Sequence, residues 1–242
     1  MKRPKNNKIE HSIQAKGQYY LRKKEYKNAI EYYKKAVTTN KNAGHIYLNI
    51  ASTYELMDDV ESALENWKKA VEYNPKNIDA KISLANAYLK LDDIQNAIRK
   101  IRGAYKENKD NKKVLFMYGV LLLHNKEYYE AVEKLDEAIK IDSNYAPAKY
   151  AKIECLINLN KRNEAENLLN ELEQTEPEEK SVDILHLRAI LNESYIENEN
   201  RLELIEPTIE ICDKIISLYN LSQSDISQVE AIKNNLLKMK EN

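Results

Sequence analysis

Residues 25–37 read EYKNAIEYYKKAV, and residues 59–71 read DVESALENWKKAV. The phrase returns as DIQNAIRKIRGAY at 93–105, EYYEAVEKLDEAI at 127–139 and KRNEAENLLNELE at 161–173. Its small residue falls at Ala29, Ala63, Ala97, Ala131 and Ala165, always 34 residues apart. A fixed period of that length marks a repeat architecture, in which each unit buries a face against the next copy.

Aligned on the alanines, the units span 10–43, 44–77, 78–111, 112–145 and 146–179, and each reads as two helices. In the second unit Tyr47, Ile50, Ala51 and Tyr54 form one helical stripe. The polar turn DDVE follows at 58–61, and Ala63, Trp67 and Ala70 then share a face until Pro75 stops the helix. Antiparallel helices approach closely only where small side chains meet. Gly17, Ala51, Ala85 and Gly119 supply the small residue on the first helix of a unit, and the recurring alanines supply it on the second. Tyr33, Trp67, Ile101, Leu135 and Leu169, four residues after each alanine, are the large residues that fill the adjoining space.

The spacing in GQYY (17–20), NAIEYYKKA (28–36) and YLNIASTYELMDDVESALENWKKAVEYNP (47–75) resembles the tetratricopeptide repeat (TPR), over about residues 10–179. The resemblance implies an all-α, right-handed superhelical solenoid of antiparallel helix pairs, five TPR units closed by C-terminal capping helices. There are departures from the family pattern. Pro75 and Pro177 hold the terminal proline position, but Lys41, Lys109 and Ser143 replace it elsewhere, and Ile153 stands where glycine or alanine is usual. Residues 1–9 read as a basic N-terminal tail, and 180–242 as a degenerate sixth helix pair and a capping helix. In that last part Ile205, Ile209, Cys212, Ile216 and Tyr219 form one stripe, with Pro207 compatible with either a helix start or a kink. Ser224 and Asp225 open the final helix, striped by Ile226, Val229, Ile232 and Leu236.

Composition narrows the function classes. A formal net charge of −1 argues against a dedicated nucleic-acid binder. The charge is uneven, however: MKRPKNNK opens with four basic residues, while 161–213 holds 15 acidic against 5 basic. Cys155 and Cys212 sit far apart in apolar helical patterns, as buried thiols do. With no signal-peptide core and no membrane-spanning run, a reducing cytoplasm is expected. His11, His45, His124 and His186 lie in different units, away from any close His or Cys companion, so no metal site and no cofactor are expected. Asp58–Asp59 and Asp92–Asp93 recur at the same inter-helix turn, which makes them turn and cap residues rather than an acid–base pair. No catalytic residue is assigned, and the chain is not expected to be an enzyme.

The resemblance implies that ligands lie along the inner wall formed by the first helices. One row there runs Gln14, Leu48, Ile82, Phe116 and Tyr150, and a second Leu21, Glu55, Leu89, Leu123 and Ile157. Met117 and Val120 thicken the apolar stretch, and Asn49 and Asn86 offer amides that both donate and accept to a peptide backbone. These residues are either a partner site or packing between first helices and beneath the C-terminal helices. The family's carboxylate clamp for chaperone tails is not expected: Asn49 matches one of its positions, but Gln14, Gln18, Asp79 and Ser83 replace its other polar and basic residues. The expected role is a non-catalytic adaptor or scaffold that holds a peptide or amphipathic helix of another protein. The alternative is a structural protein that assembles with itself through its C-terminal helices or terminus.

Overall fold

A computed structural model describes residues 5–39, 43–175, 182–218 and 223–241. Among them the secondary structure is helical throughout, without a strand. Two compact units divide the chain, Met1–Leu121 and Leu122–Asn242.

The first unit holds α1 (Lys5–Arg22), α2 (Tyr26–Thr39), α3 (Gly44–Glu55), α4 (Val60–Tyr73), α5 (Ile78–Lys90), α6 (Ile94–Glu107) and most of α7 (Lys112–His124). From α1 to α6 each helix packs on the next, as short connections force antiparallel neighbours to do. α1 begins inside the stretch expected as a tail, because nothing after Pro4 breaks the helical pattern. Ala29, Ile30, Tyr33, Ala36, Ala43, Ile46 and Ile50 form one core cluster. Ala51, Ala63, Trp67, Ala70, Ala80, Leu84 and Ala87 form the next. Gly17 shows why a small residue is needed: a Cβ there would stand 2.5 Å from Cε1 of the buried Tyr33 ring.

The turns carry the period as well. Lys24, Asp58, Asp92, Lys126 and Asn160 have φ of 60°, 58°, 57°, 62° and 58°, each 34 residues from the last. In every copy the amide of this left-handed residue donates to the carbonyl three residues back. The next amide donates five residues back, as Asp58 to Glu55 and Asp59 to Tyr54. That is a Schellman motif, which satisfies the orphan carbonyls of the first helix. The second residue at once starts the following helix. Asp59 accepts from the Ser62 amide at 3.0 Å and Asp93 from the Asn96 amide at 3.2 Å. The paired acids are therefore one C-cap and one N-cap.

The second unit contains α8 (Tyr128–Ile141), α9 (Ala146–Asn158), α10 (Arg162–Thr175) and α11 (Val182–Glu199). A short 3-10 turn (Leu202–Leu204), α12 (Ile205–Leu218) and α13 (Gln223–Glu241) complete it. Ile153, in the place of the usual small residue, is fully buried with Leu156, Ala165, Leu169 and Leu172. Pro207 is the third residue of α12, where the missing N–H costs no hydrogen bond, so it starts the helix rather than kinking it. The α12 stripe buries Ile205, Ile209 and Cys212 but closes on Ile215, leaving Ile216 half-buried. Tyr219, the last expected member, lies outside the described residues, as does Pro177. A buried hydrogen bond from Asn192 Nδ2 to Thr208 Oγ1 (3.1 Å) ties α11 to α12. α13 starts at Gln223, so Asp225 lies in its first turn, and it buries Val229, Ile232 and Leu236 against α11 and α12.

Candidate functional site

In the first unit the inner-row residues come from α3, α5 and α7, which the turns above hold in one register. Leu48, Ile82, Leu89, Phe116, Met117 and Val120 are half-buried there, neither core nor fully solvated. Leu48 leans on the cluster around Trp67. Asn49 and Asn86 are also half-buried, and their side-chain amides make no hydrogen bond among the described residues. Each such amide can serve a peptide group in both directions. Neighbouring first helices are linked at the edge of this row. The Gln14 amide donates to His45 Nε2 at 2.6 Å, and Lys113 Nζ lies 3.1 Å from Asp79 Oδ1.

In the second unit the structure buries two of the predicted residues. Leu123 and Ile157 are each 8 % exposed, and Ile157 belongs to the core cluster between α9, α10 and α11. Tyr150 remains half-buried against that cluster. The inner-row expectation thus divides: Tyr150 reaches the surface, whereas Leu123 and Ile157 serve packing.

Other chemistry is sparse. Among the described residues no group of three His, Cys, Asp or Glu side chains is placed to hold a metal ion. The side chain of His11 lies outside the described residues, so its expected equivalence with His45 is not visible. Cys155 and Cys212 are buried free thiols, pushed up to about 12 and about 11 by desolvation, which leaves them inert. The residues that pattern reading missed lie elsewhere: Lys81, Arg99 and Lys100 gather around Gly103. The available signal was a glycine inside α6 at a repeat position that carries Lys35, Lys69 and Glu137 in other copies.

Models described as tetratricopeptide repeat match residues 11–42 and 44–77, 82–146, and 122–189. The chain belongs to the tetratricopeptide repeat family. Solved structures agree with that in fold. A tetratricopeptide repeat protein from Parabacteroides merdae matches with a TM-score of 0.68 at 15% identity, over 93% of this chain and 99% of that one. Pseudomonas aeruginosa pilF gives 0.69 at 14%, over 94% and 99%. MamA from Desulfovibrio magneticus gives 0.64 at 14%, over 74% and 99%. At these identities the likeness is one of fold alone. No curated protein sequence matches the chain. TPR proteins are generally non-catalytic scaffolds that bind other proteins, and the repeats of this chain make it a protein-interaction scaffold. Among the described residues, no helix is long and apolar enough to cross a membrane.

Proposed function

We propose that this TPR protein is an adaptor whose first-helix wall in the first unit holds an extended peptide segment of another protein. The observation that carries the reading is the pair of half-buried amides, Asn49 and Asn86, without a hydrogen-bond partner among the described residues. These amide atoms remain open to water, and a peptide group can take the place of that water. Leu48, Ile82, Leu89, Met117 and Val120, half-buried on the first helices of the same unit, would take apolar side chains of the segment. Each anchor fully buried would contribute roughly 1.5–3 kcal/mol before the costs of association. Gln14 is engaged by His45, and Asp79 brings negative charge, so a chaperone-tail carboxylate is disfavoured as the ligand. A reducing cytoplasm suits the two buried thiols, Cys155 and Cys212.

The test is affinity capture with the wild type, with Asn49→Ala/Asn86→Ala and with Met117→Glu/Val120→Glu, followed by calorimetry on the captured segment. The expected outcome is loss of capture by the glutamate pair. The alanine pair should weaken binding about tenfold or more, since two hydrogen bonds at about 1 kcal/mol each are removed. Undiminished capture by both variants, with helix content intact, refutes the assignment.

A further inference from the structure

A second surface shares only α5 with the inner row. A groove of ≈ 360 Å³ runs between α4 and α6 and is floored by α5. Val71, half-buried, and the buried Leu84 and Ala104 beneath it give the groove an apolar floor, and Lys81, Arg99 and Lys100 stand around it with Glu107. Gly103 lies in its wall, and a Cβ built there meets no atom within 4 Å, so no close contact explains the glycine. A glycine in a helix interior costs stability, and an open one leaves backbone accessible to an incoming group.

The preceding repeat shows what the groove looks like when closed. Thirty-four residues earlier, Lys81, Gly103 and Glu107 correspond to Tyr47, Lys69 and Tyr73. There the two rings pack with centroids 5.4 Å apart, and Lys69 Nζ lies 5.6 Å over the Tyr47 ring. Three substitutions in register thus remove two rings and a long arm from the third repeat. The rim gains positive charge with them, because Arg99 and Lys100 replace Glu65 and Asn66. Lys81 is committed to Glu107 at 2.5 Å, and the Arg99 guanidinium donates to Asn96 Oδ1 at 2.6 Å. Lys100 has no ion-pair partner among the described residues. With three cations against one carboxylate, the groove is left with an uncompensated positive rim over an apolar floor.

We infer that this groove is a second docking site, for an acidic peptide segment that seats an apolar side chain over Gly103 and directs carboxylates to Arg99 and Lys100. Charge complementarity selects the acidic segment, and the apolar floor selects a peptide over a bare anion. The site is independent of the inner row, so either can fail alone.

The experiment is a titration of the full ¹⁵N-labelled chain with an acetylated, amidated Glu-Leu-Glu-Glu-Leu-Asp-Glu peptide, followed by amide chemical shifts. The controls are the same peptide with lysine in place of its acids, and inorganic phosphate. Saturable shifts at Gly103, Arg99 and Lys100 are expected with the acidic peptide alone. Affinity should fall at least tenfold in Arg99→Glu/Lys100→Glu. It should fall similarly in Gly103→Gln, which fills the groove while favouring the helix, so that its Tm rises as binding is lost. Unchanged spectra overturn the proposal, as does equal affinity in both variants. Equal shifts with phosphate reduce the groove to a simple anion site and overturn it too. A molar mass that doubles on concentration, with the same residues shifting and no response to peptide, assigns the groove to a second copy of the chain instead.

Discussion

A non-glycine residue at φ near +60° carries backbone strain, and this chain places one in each of five successive turns. Lys126, at φ 62°, is exposed and gains nothing from its side chain that offsets the strain. Left-handed backbone costs such a residue about 1–2 kcal/mol, of which glycine returns part through its larger unfolded-state entropy. Lys126→Gly is therefore expected to stabilise the fold by about 0.5–1 kcal/mol, a rise in Tm of roughly 1–4 °C for a chain of this size. Calorimetry of the two proteins at one pH decides it. The opposite sign is expected at Gly17, whose Cβ would meet Tyr33 Cε1 at 2.5 Å and Cδ1 at 2.7 Å. Tyr33 is fully buried and has nowhere to retreat, so Gly17→Ala should cost about 1–3 kcal/mol. Removing the offending ring in Gly17→Ala/Tyr33→Leu should recover part of that loss. A Gly17→Ala protein as stable as the wild type would show that α1 and α2 are held less closely than the ring contact requires.

Elements differ in how much of them the sequence revealed. The helix pairs were legible because close approach demands a small residue at one position, and that demand repeats with the turn. The sixth pair was legible only as a degenerate one outside the 34-residue register, and the turn residues say why: Asn200 follows Asn160 by 40 residues rather than 34. α11 spans 18 residues where α3, α5, α7 and α9 span 12 or 13, so about one and a half extra turns displace every later position. The inner row was legible as a helix face but not as a depth. Ile157 and Tyr150 occupy comparable faces of α9, yet only the packing of α11 decides that Ile157 is core. The groove around Gly103 was not legible, because its signal is missing side chains. α11 also brings a titration. Burial pushes the His186 imidazole below its ordinary value, against the weaker upward pull of Asp183 and Asp225. The unfolded chain then binds more protons near pH 6, so this histidine withdraws stability as pH falls below its unfolded value of about 6.5. Glu193, raised by burial, acts in the opposite sense and favours the fold as it protonates. The isolating measurement is the difference between wild type and His186→Gln from pH 7.5 to 5.5. The wild type should lose more Tm over that range, and parallel curves would show that His186 titrates as an exposed group.

At the scale of the whole chain, a repeat protein holds itself together through nearest neighbours, so damage at one end should stay near that end. α13 supplies Val229, Ile232 and Leu236 to the cluster that contains Ala189, Ile196, Ile209, Cys212 and Ile215. Three ion pairs and hydrogen bonds accompany it, Lys233 with Asp213, Lys240 with Glu206 and Asn235 with Glu193. Deleting residues 222–242 uncovers the α11–α12 face and removes three large apolar side chains, each worth roughly 1.5–3 kcal/mol when buried. Amide exchange in α11 and α12 should then accelerate sharply, while α2 to α5 keep their protection. The full-length chain should be monomeric by light scattering, and the shortened one should associate through its uncovered apolar face. The reverse result, an oligomer that falls to monomer when α13 is removed, would make that helix the joint of a self-assembling protein. Partner capture by the first unit discriminates further: an adaptor keeps its inner-row ligand after the deletion, because neither Asn49 nor Asn86 depends on α13 for its place.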